Sequence, residues 1–135
     1  MVLVDTSVLV HVLRDRSGVS ADSLLAEIGD DDLVIIDPVG GELLAGAKNE
    51  REWEHIERFI ATCLKVEARA SAWSDAARMY FDLRRGGKTV RKLLDCYIAQ
   101  IALDHDLTLI HDDRDFAVIS EARNLKHSRL ELSKS

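Results

Sequence analysis

Asp95 is the only charged residue in residues 93–103 (LLDCYIAQIAL), a stretch whose apolar residues leave little of a helix circumference polar. A helix apolar nearly all round is a buried helix, and an ionised carboxylate is costly to bury unless it is paired, hydrogen-bonded or bound to a metal. A salt bridge to a buried arginine or a bond to a neighbouring helix terminus would explain Asp95 alone. Other acids stand at comparable places. Asp5 follows the apolar run Val2-Leu3-Val4, and Asp113 and Asp115 follow Leu107-Thr108-Leu109-Ile110. Glu42 lies about one turn into the helical segment that leaves Leu33-Val34-Ile35-Ile36. Each has a plainer reading: Asp5 as a helix cap, Glu42 as a solvated helix residue, and one of Asp112, Asp113 and Asp115 as a turn or cap, with Asp112 the first choice. Together they describe an acidic pocket. Several carboxylates within a few ångströms cannot all ionise without a counter-charge. Oxygen donors without an obligatory cysteine or histidine suit hard cations such as Mg2+ or Mn2+. The chemistry such a site supports is metal-assisted phosphodiester hydrolysis.

The elements that must position these acids can be read from the same runs. Continuous apolar strands without alternation suit a parallel sheet covered on both faces. Helical patterns between them give the order of an α/β sandwich. In such sheets ligands bind beyond the carboxyl ends of the strands, which is where Asp5 and Asp113 fall. Asp37 before Pro38 reads as an N-cap with proline at the first helical position, opening a helix over roughly residues 38–48. Further helices are expected from Asn49 or Glu50, with Trp53, Ile56 and Ile60 inward, and over residues 71–85, with Trp73, Ala76, Ala77 and Tyr80 inward. Gly86-Gly87 ends the latter. The Asp95 helix is expected over about residues 90–105 and a short one around residues 116–119. An edge strand over residues 129–132 would precede a frayed tail at 133–135. Both tryptophans sit on apolar stripes, which favours core packing over base stacking.

At 135 residues the chain fits a single domain, residues 1–135, large enough for a core without staples. No apolar run approaches the roughly 20 residues of a membrane span. The opening residues lack the order of a signal peptide. Cys63 and Cys96 are too few for a disulfide framework and read as free thiols in a reducing compartment, so a cytoplasmic location is expected. A net charge of −6 argues against holding nucleic acid by bulk electrostatics. It leaves room for the local basic run Arg84, Arg85, Lys88, Arg91 and Lys92. The first two complement a helix C-terminus, whereas Arg91 stands near a helix N-terminus that disfavours it. Arg91 is therefore expected to contact a phosphate of the substrate. No GxGxxG or GxxxxGK[ST] motif is present.

Four segments in this order resemble the PIN-domain ribonucleases, and within them the VapC-type toxins of toxin–antitoxin pairs. VLVDTSVLV is similar to the family's opening strand with its Asp-Thr/Ser, and PVGGELLAGA to the helix that presents its Glu. TVRKLLDCYIAQIAL resembles the helix of the third acid, and LIHDDRDFAVI the terminal acidic element. The resemblance runs from about residue 2 to 132. It implies the PIN-like fold, a central, mainly parallel sheet flanked by helices on both faces. It implies catalytic roles for Asp5, Glu42, Asp95 and Asp113, with metal held by Asp5, Asp95 and Asp113. Thr6, Ser7 and Asp115 would support them. It further implies a Mg2+- or Mn2+-dependent endoribonuclease, a homodimer, a small VapB-like antitoxin that Arg91 would contact if it does not contact substrate, and a higher toxin–antitoxin assembly. His111 stands where a small hydroxyl or amide residue is common and is expected to be structural. The competing functions are a housekeeping PIN nuclease and, more remotely, a receiver-type acidic pocket, which would need a Lys at a later strand end. None follows Leu107–Ile110 directly.

Overall fold

The computed structural model describes residues 1–132; the tail expected at 133–135 lies outside them. Five strands, β1 (Val2–Val4), β2 (Leu33–Ile35), β3 (Leu64–Lys65), β4 (Thr108–His111) and β5 (His127–Arg129), form one sheet in the order β3-β2-β1-β4-β5. Every pairing is parallel, with Val2 opposite Leu33 and Thr108, Val34 opposite Leu64, and Leu109 opposite His127. The central strands are mostly apolar because both faces are covered: Leu3, Val4, Leu109 and Ile110 are fully buried. Seven helices complete the described chain: α1 (Thr6–Arg14), α2 (Val19–Ile28), α3 (Asp37–Ala45), α4 (Glu50–Thr62), α5 (Ala72–Arg85), α6 (Leu93–Asp104) and α7 (Arg114–Ala122). Helices α1 to α4 pack among themselves, and α5 to α7 do likewise. Crossovers between parallel strands are as a rule right-handed, which for this strand order puts the two groups on opposite faces of the sheet. The strand order reverses between β1 and β4, which opens the crevice used by ligands in this class of sheet.

Several local expectations are corrected. The added strand β3 has two exposed residues and carries no apolar run, so nothing in its composition marks it. The last strand begins two residues and ends three residues earlier than expected, at His127–Arg129, and is at the sheet edge. Asp37 is the first residue of α3 rather than its cap; it is exposed and Ile36 occupies the cap position without a side-chain bond. The inward stripe of α5 is Ala72, Ala76, Met79 and Leu83, not Trp73 and Ala77. Trp73 is 52% exposed and Trp53 39%, so neither is a core residue. Trp73 instead lies flat on Tyr97, with ring centroids 3.7 Å apart and planes 8° from parallel. Cys63 and Cys96 are both free, and burial pushes the Cys96 thiol up to about 11. No helix among the described residues is long and apolar enough to cross a membrane.

Candidate active site

Three acids are brought tightly together. Among the described residues, Asp95, Asp113 and Asp115 form the one set of carboxylates with an oxygen from each within 4.8 Å of the others. Asp95 is in the first turn of α6, held there because Cys96, Ile98, Ala99, Ile101 and Ala102 bury the rest of that helix. Asp113 is the N-cap of α7 and accepts the Asp115 N–H at 3.0 Å. Asp115 follows in the first turn of α7 and is buried. The cap at this corner is thus Asp113, not Asp112, whose carboxylate is bonded to Arg129 Nε at 3.2 Å.

Asp5 and Glu42 approach from the other side of the crevice. The backbone of Asp5 extends the sheet, donating to Ile110 O at 2.9 Å, and its side chain caps α1. The cap reading and the pocket reading of Asp5 are therefore compatible. Ser7 donates to Asp5 Oδ2 from both its N–H (3.1 Å) and its Oγ (2.7 Å). The same Ser7 Oγ accepts the Asp112 N–H at 2.9 Å, tying β1's end to β4's end. Thr6 Oγ1 donates to Glu42 Oε1 at 3.0 Å, so each hydroxyl of the Thr6-Ser7 pair serves a different acid. Asp5 lies outside the 4.8 Å set yet is coupled electrostatically to both Asp95 and Glu42. Ser7→Ala removes both the Asp5 bond and the cross-strand tie. It is expected to lower any activity of the site by roughly ten-fold while the protein stays folded. Full activity in Ser7→Ala, with an unchanged melting temperature, would return Ser7 to an incidental role.

Charge in the pocket is only partly compensated. Burial lifts the Asp95 carboxyl to about 7, the neighbouring charges of Asp5 and Asp113 add to the rise, and Lys92 opposes it. Burial likewise raises Asp5, against the Ser7 bonds and together with Glu42. Asp95 Oδ2 is buried with no hydrogen-bond partner. Such orphaned polar atoms are uncommon in native interiors and call for an explanation. An all-oxygen donor set with an unmet acceptor fits a hard divalent cation. The salt-bridge reading of Asp95 fails, because no ion pair is made by it among the described residues.

A profile described as PIN domain matches residues 2–122. The chain belongs to the PIN-domain family. Within it the relatives are VapC ribonucleases. VapC ribonuclease Mb1587 of Mycobacterium bovis and ribonuclease VapC11 of Mycobacterium tuberculosis are each 32% identical over 130 residues, spanning 93% of this chain and 96% of theirs. The fold is shared with a DNA-bound VapBC from Salmonella typhimurium (TM-score 0.77, 20% identity, 96% of this chain and 98% of that one). It is shared also with VapBC-1 from nontypeable Haemophilus influenzae (TM-score 0.76, 21% identity, again 96% and 98%).

In this PIN domain two arrangements were not legible beforehand. Arg91 does not point away to solvent: its Nη2 donates to Asp113 Oδ1 (3.0 Å) and Oδ2 (3.1 Å), and its Nε to Asp115 Oδ2 (3.1 Å). Its backbone N–H also reaches Asp115 Oδ2, at 3.2 Å. The spacing from Arg91 to the two aspartates carries no periodic signal that would pair them. His111 is fully buried, with Nε2 2.9 Å from His127 Nδ1, and its Nδ1 accepts the Asp113 N–H at 3.2 Å. Since Nδ1 accepts, the ring proton sits on Nε2 and is donated to His127. Burial, with His127 and Arg129 nearby, holds His111 down at about 4. The neutral ring thus links the start of α7 to β5, accepting from the Asp113 backbone and donating to His127.

Proposed function

We propose that this chain is a metal-dependent endoribonuclease and the toxin of a type II toxin–antitoxin pair. The observation that carries the nuclease reading is the buried, unpartnered Asp95 Oδ2 inside a cluster of aspartates at the carboxyl edge of the sheet. Asp95 and Asp113 would hold Mg2+ or Mn2+ directly, with Asp5 completing the site from β1. Glu42, fixed by Thr6, would serve as the fourth catalytic acid. Asp115 supports Asp113 through their shared corner of α7. When bound, the cation supplies a water of lowered pKa and a positive charge for the phosphate oxygens. The protein's own part is to hold four acids in fixed places and to keep Asp95 from being satisfied by any other group. Without the cation the pocket would repel a phosphodiester.

The relatives' names support the toxin reading: the curated ones are called VapC ribonucleases, and the folds alike are those of VapBC proteins. We assign to the chain a small VapB-like antitoxin as inhibitor, a homodimeric state, a higher toxin–antitoxin assembly and a cytoplasmic location. Purified protein incubated with total RNA should yield discrete fragments with Mg2+ or Mn2+ and none in EDTA. Asp5→Asn should reduce cleavage at least as far as EDTA does. RNA left intact with either cation, or cut equally in EDTA, would overturn the nuclease reading. Co-production with a cognate VapB-like antitoxin should restore growth of cells that the chain alone arrests.

A further inference from the structure

Arg91 faces an unusual position for a surface cation. Its side chain is 60% exposed, yet its guanidinium is spent on the two aspartates that flank the pocket rather than on solvent. A single nitrogen, Nη2, engages both oxygens of Asp113. Nε and the Arg91 backbone N–H share one oxygen of Asp115. Asp113 Oδ1 already accepts the Asp115 N–H, so the fork occupies most of the lone-pair directions that a cation would use on Asp113. Asp95, the third acid of the cluster, receives nothing from Arg91 and keeps its orphaned oxygen. Two of three clustered carboxylates thus share one cation from within the chain, and the third has none.

We infer that Arg91 is a built-in counter-ion of the acidic site, which occupies Asp113 and Asp115 in the metal-free protein and competes with the divalent cation for Asp113. This rests on the metal-site reading proposed above. A cation held by Asp95 and Asp113 meets a positive guanidinium on the same carboxylate, and like charges at such range repel. Metal loading therefore requires the fork to loosen, and the charge of Arg91 sets how much free cation the site needs. The half-exposed position of the side chain gives it water to move into. Arg91 acts here through its neighbours, as a positioning residue.

The alternative is that the fork is a brace that aims Asp113 and Asp115 at the cation, and the two roles predict opposite signs. Mn2+ binding to the full chain is measured by titration calorimetry for wild type, Arg91→Gln and Arg91→Lys, with melting temperatures in EDTA alongside. Arg91→Gln keeps an amide donor but loses the charge. It is expected to bind Mn2+ roughly ten-fold more tightly than wild type, to melt lower in EDTA and to gain more on adding Mn2+. Arg91→Lys keeps the charge and should bind within about two-fold of wild type, which separates charge from fork geometry. Equal or weaker Mn2+ binding by Arg91→Gln, with wild type binding normally, overturns the counter-ion and leaves the metal site standing. Failure of all three proteins to bind Mn2+ removes the metal site itself and this inference with it.

Discussion

Asp95→Asn is expected to reduce RNA cleavage by more than about 100-fold with the fold intact, because it removes the one acid in the pocket that nothing else satisfies. Asparagine is nearly isosteric and neutral, so α6 keeps its packing against α5 and α7. What is lost is the anionic oxygen on which a hard cation depends. The loss should appear in kcat at saturating RNA, since Asp95 is buried and is not placed to bind the substrate at large. Asp37→Asn is the matched control. Asp37 also stands beyond a strand's carboxyl end, but it is exposed and caps nothing, so cleavage should be unchanged. Near-normal Mg2+-dependent cleavage by purified Asp95→Asn would remove Asp95 from the site and with it the meaning given to its orphaned oxygen.

The contrast between Asp95 and Asp37 shows what the sequence made legible. An isolated acid in an apolar helical run is a strong signal because burial of charge is costly, and that cost is independent of how the chain folds. Apolar runs ending in acids marked β1, β2 and β4, and hence the crevice between β1 and β4. The resemblance of the opening segment gave Thr6 and Ser7 supporting parts, and the structure bonds Thr6 to Glu42 and Ser7 to Asp5. Features set by long-range contact were not legible. Strand β3 exists because β2's edge accepts a partner, not because Leu64 and Lys65 prefer extended backbone. On α5, large aromatics drew the apolar stripe toward Trp73, whereas the buried line runs through the smaller Ala72 and Ala76. Trp73 is instead accommodated by lying on Tyr97 of α6. The fork of Arg91 and the His111–His127 pair each join residues from different elements, and only the folded sheet brings those elements together.

The second large effect is on the pH dependence of stability in the metal-free protein. In the folded chain Asp95 stays protonated up to about pH 7, whereas its ordinary value is 3.8. Between those values the folded state binds more protons than the unfolded one, so this group makes stability fall as pH rises, by an amount on the order of 4 kcal/mol once pH exceeds 7. His111 acts with the opposite sign: held at about 4 rather than 6.5, it makes the folded state bind fewer protons and stability rise over that window. Asp5, also raised by burial, adds to the falling side, so wild type in EDTA is expected to show only a shallow fall from about pH 4 to 6.5, as the Asp95 and His111 slopes offset. Asp95→Asn removes the falling component of Asp95 and leaves that of Asp5. Its stability in EDTA should rise with pH across the same window, and it should exceed wild type by a few kcal/mol at pH 7.5. Mn2+ should narrow that gap by stabilising wild type, since a ligand bound by the folded state alone adds to its stability, while Asp95→Asn should respond little. Asp113 is the poorer probe, because Arg91 already relieves its charge and its carboxylate caps α7. Denaturant unfolding of both proteins from pH 4 to 8, with and without Mn2+, measures all of this. Parallel profiles in EDTA, with Asp95→Asn the less stable at pH 7.5, would mean that Asp95 is held ionised by partners and that its burial carries no stored repulsion for a cation to relieve.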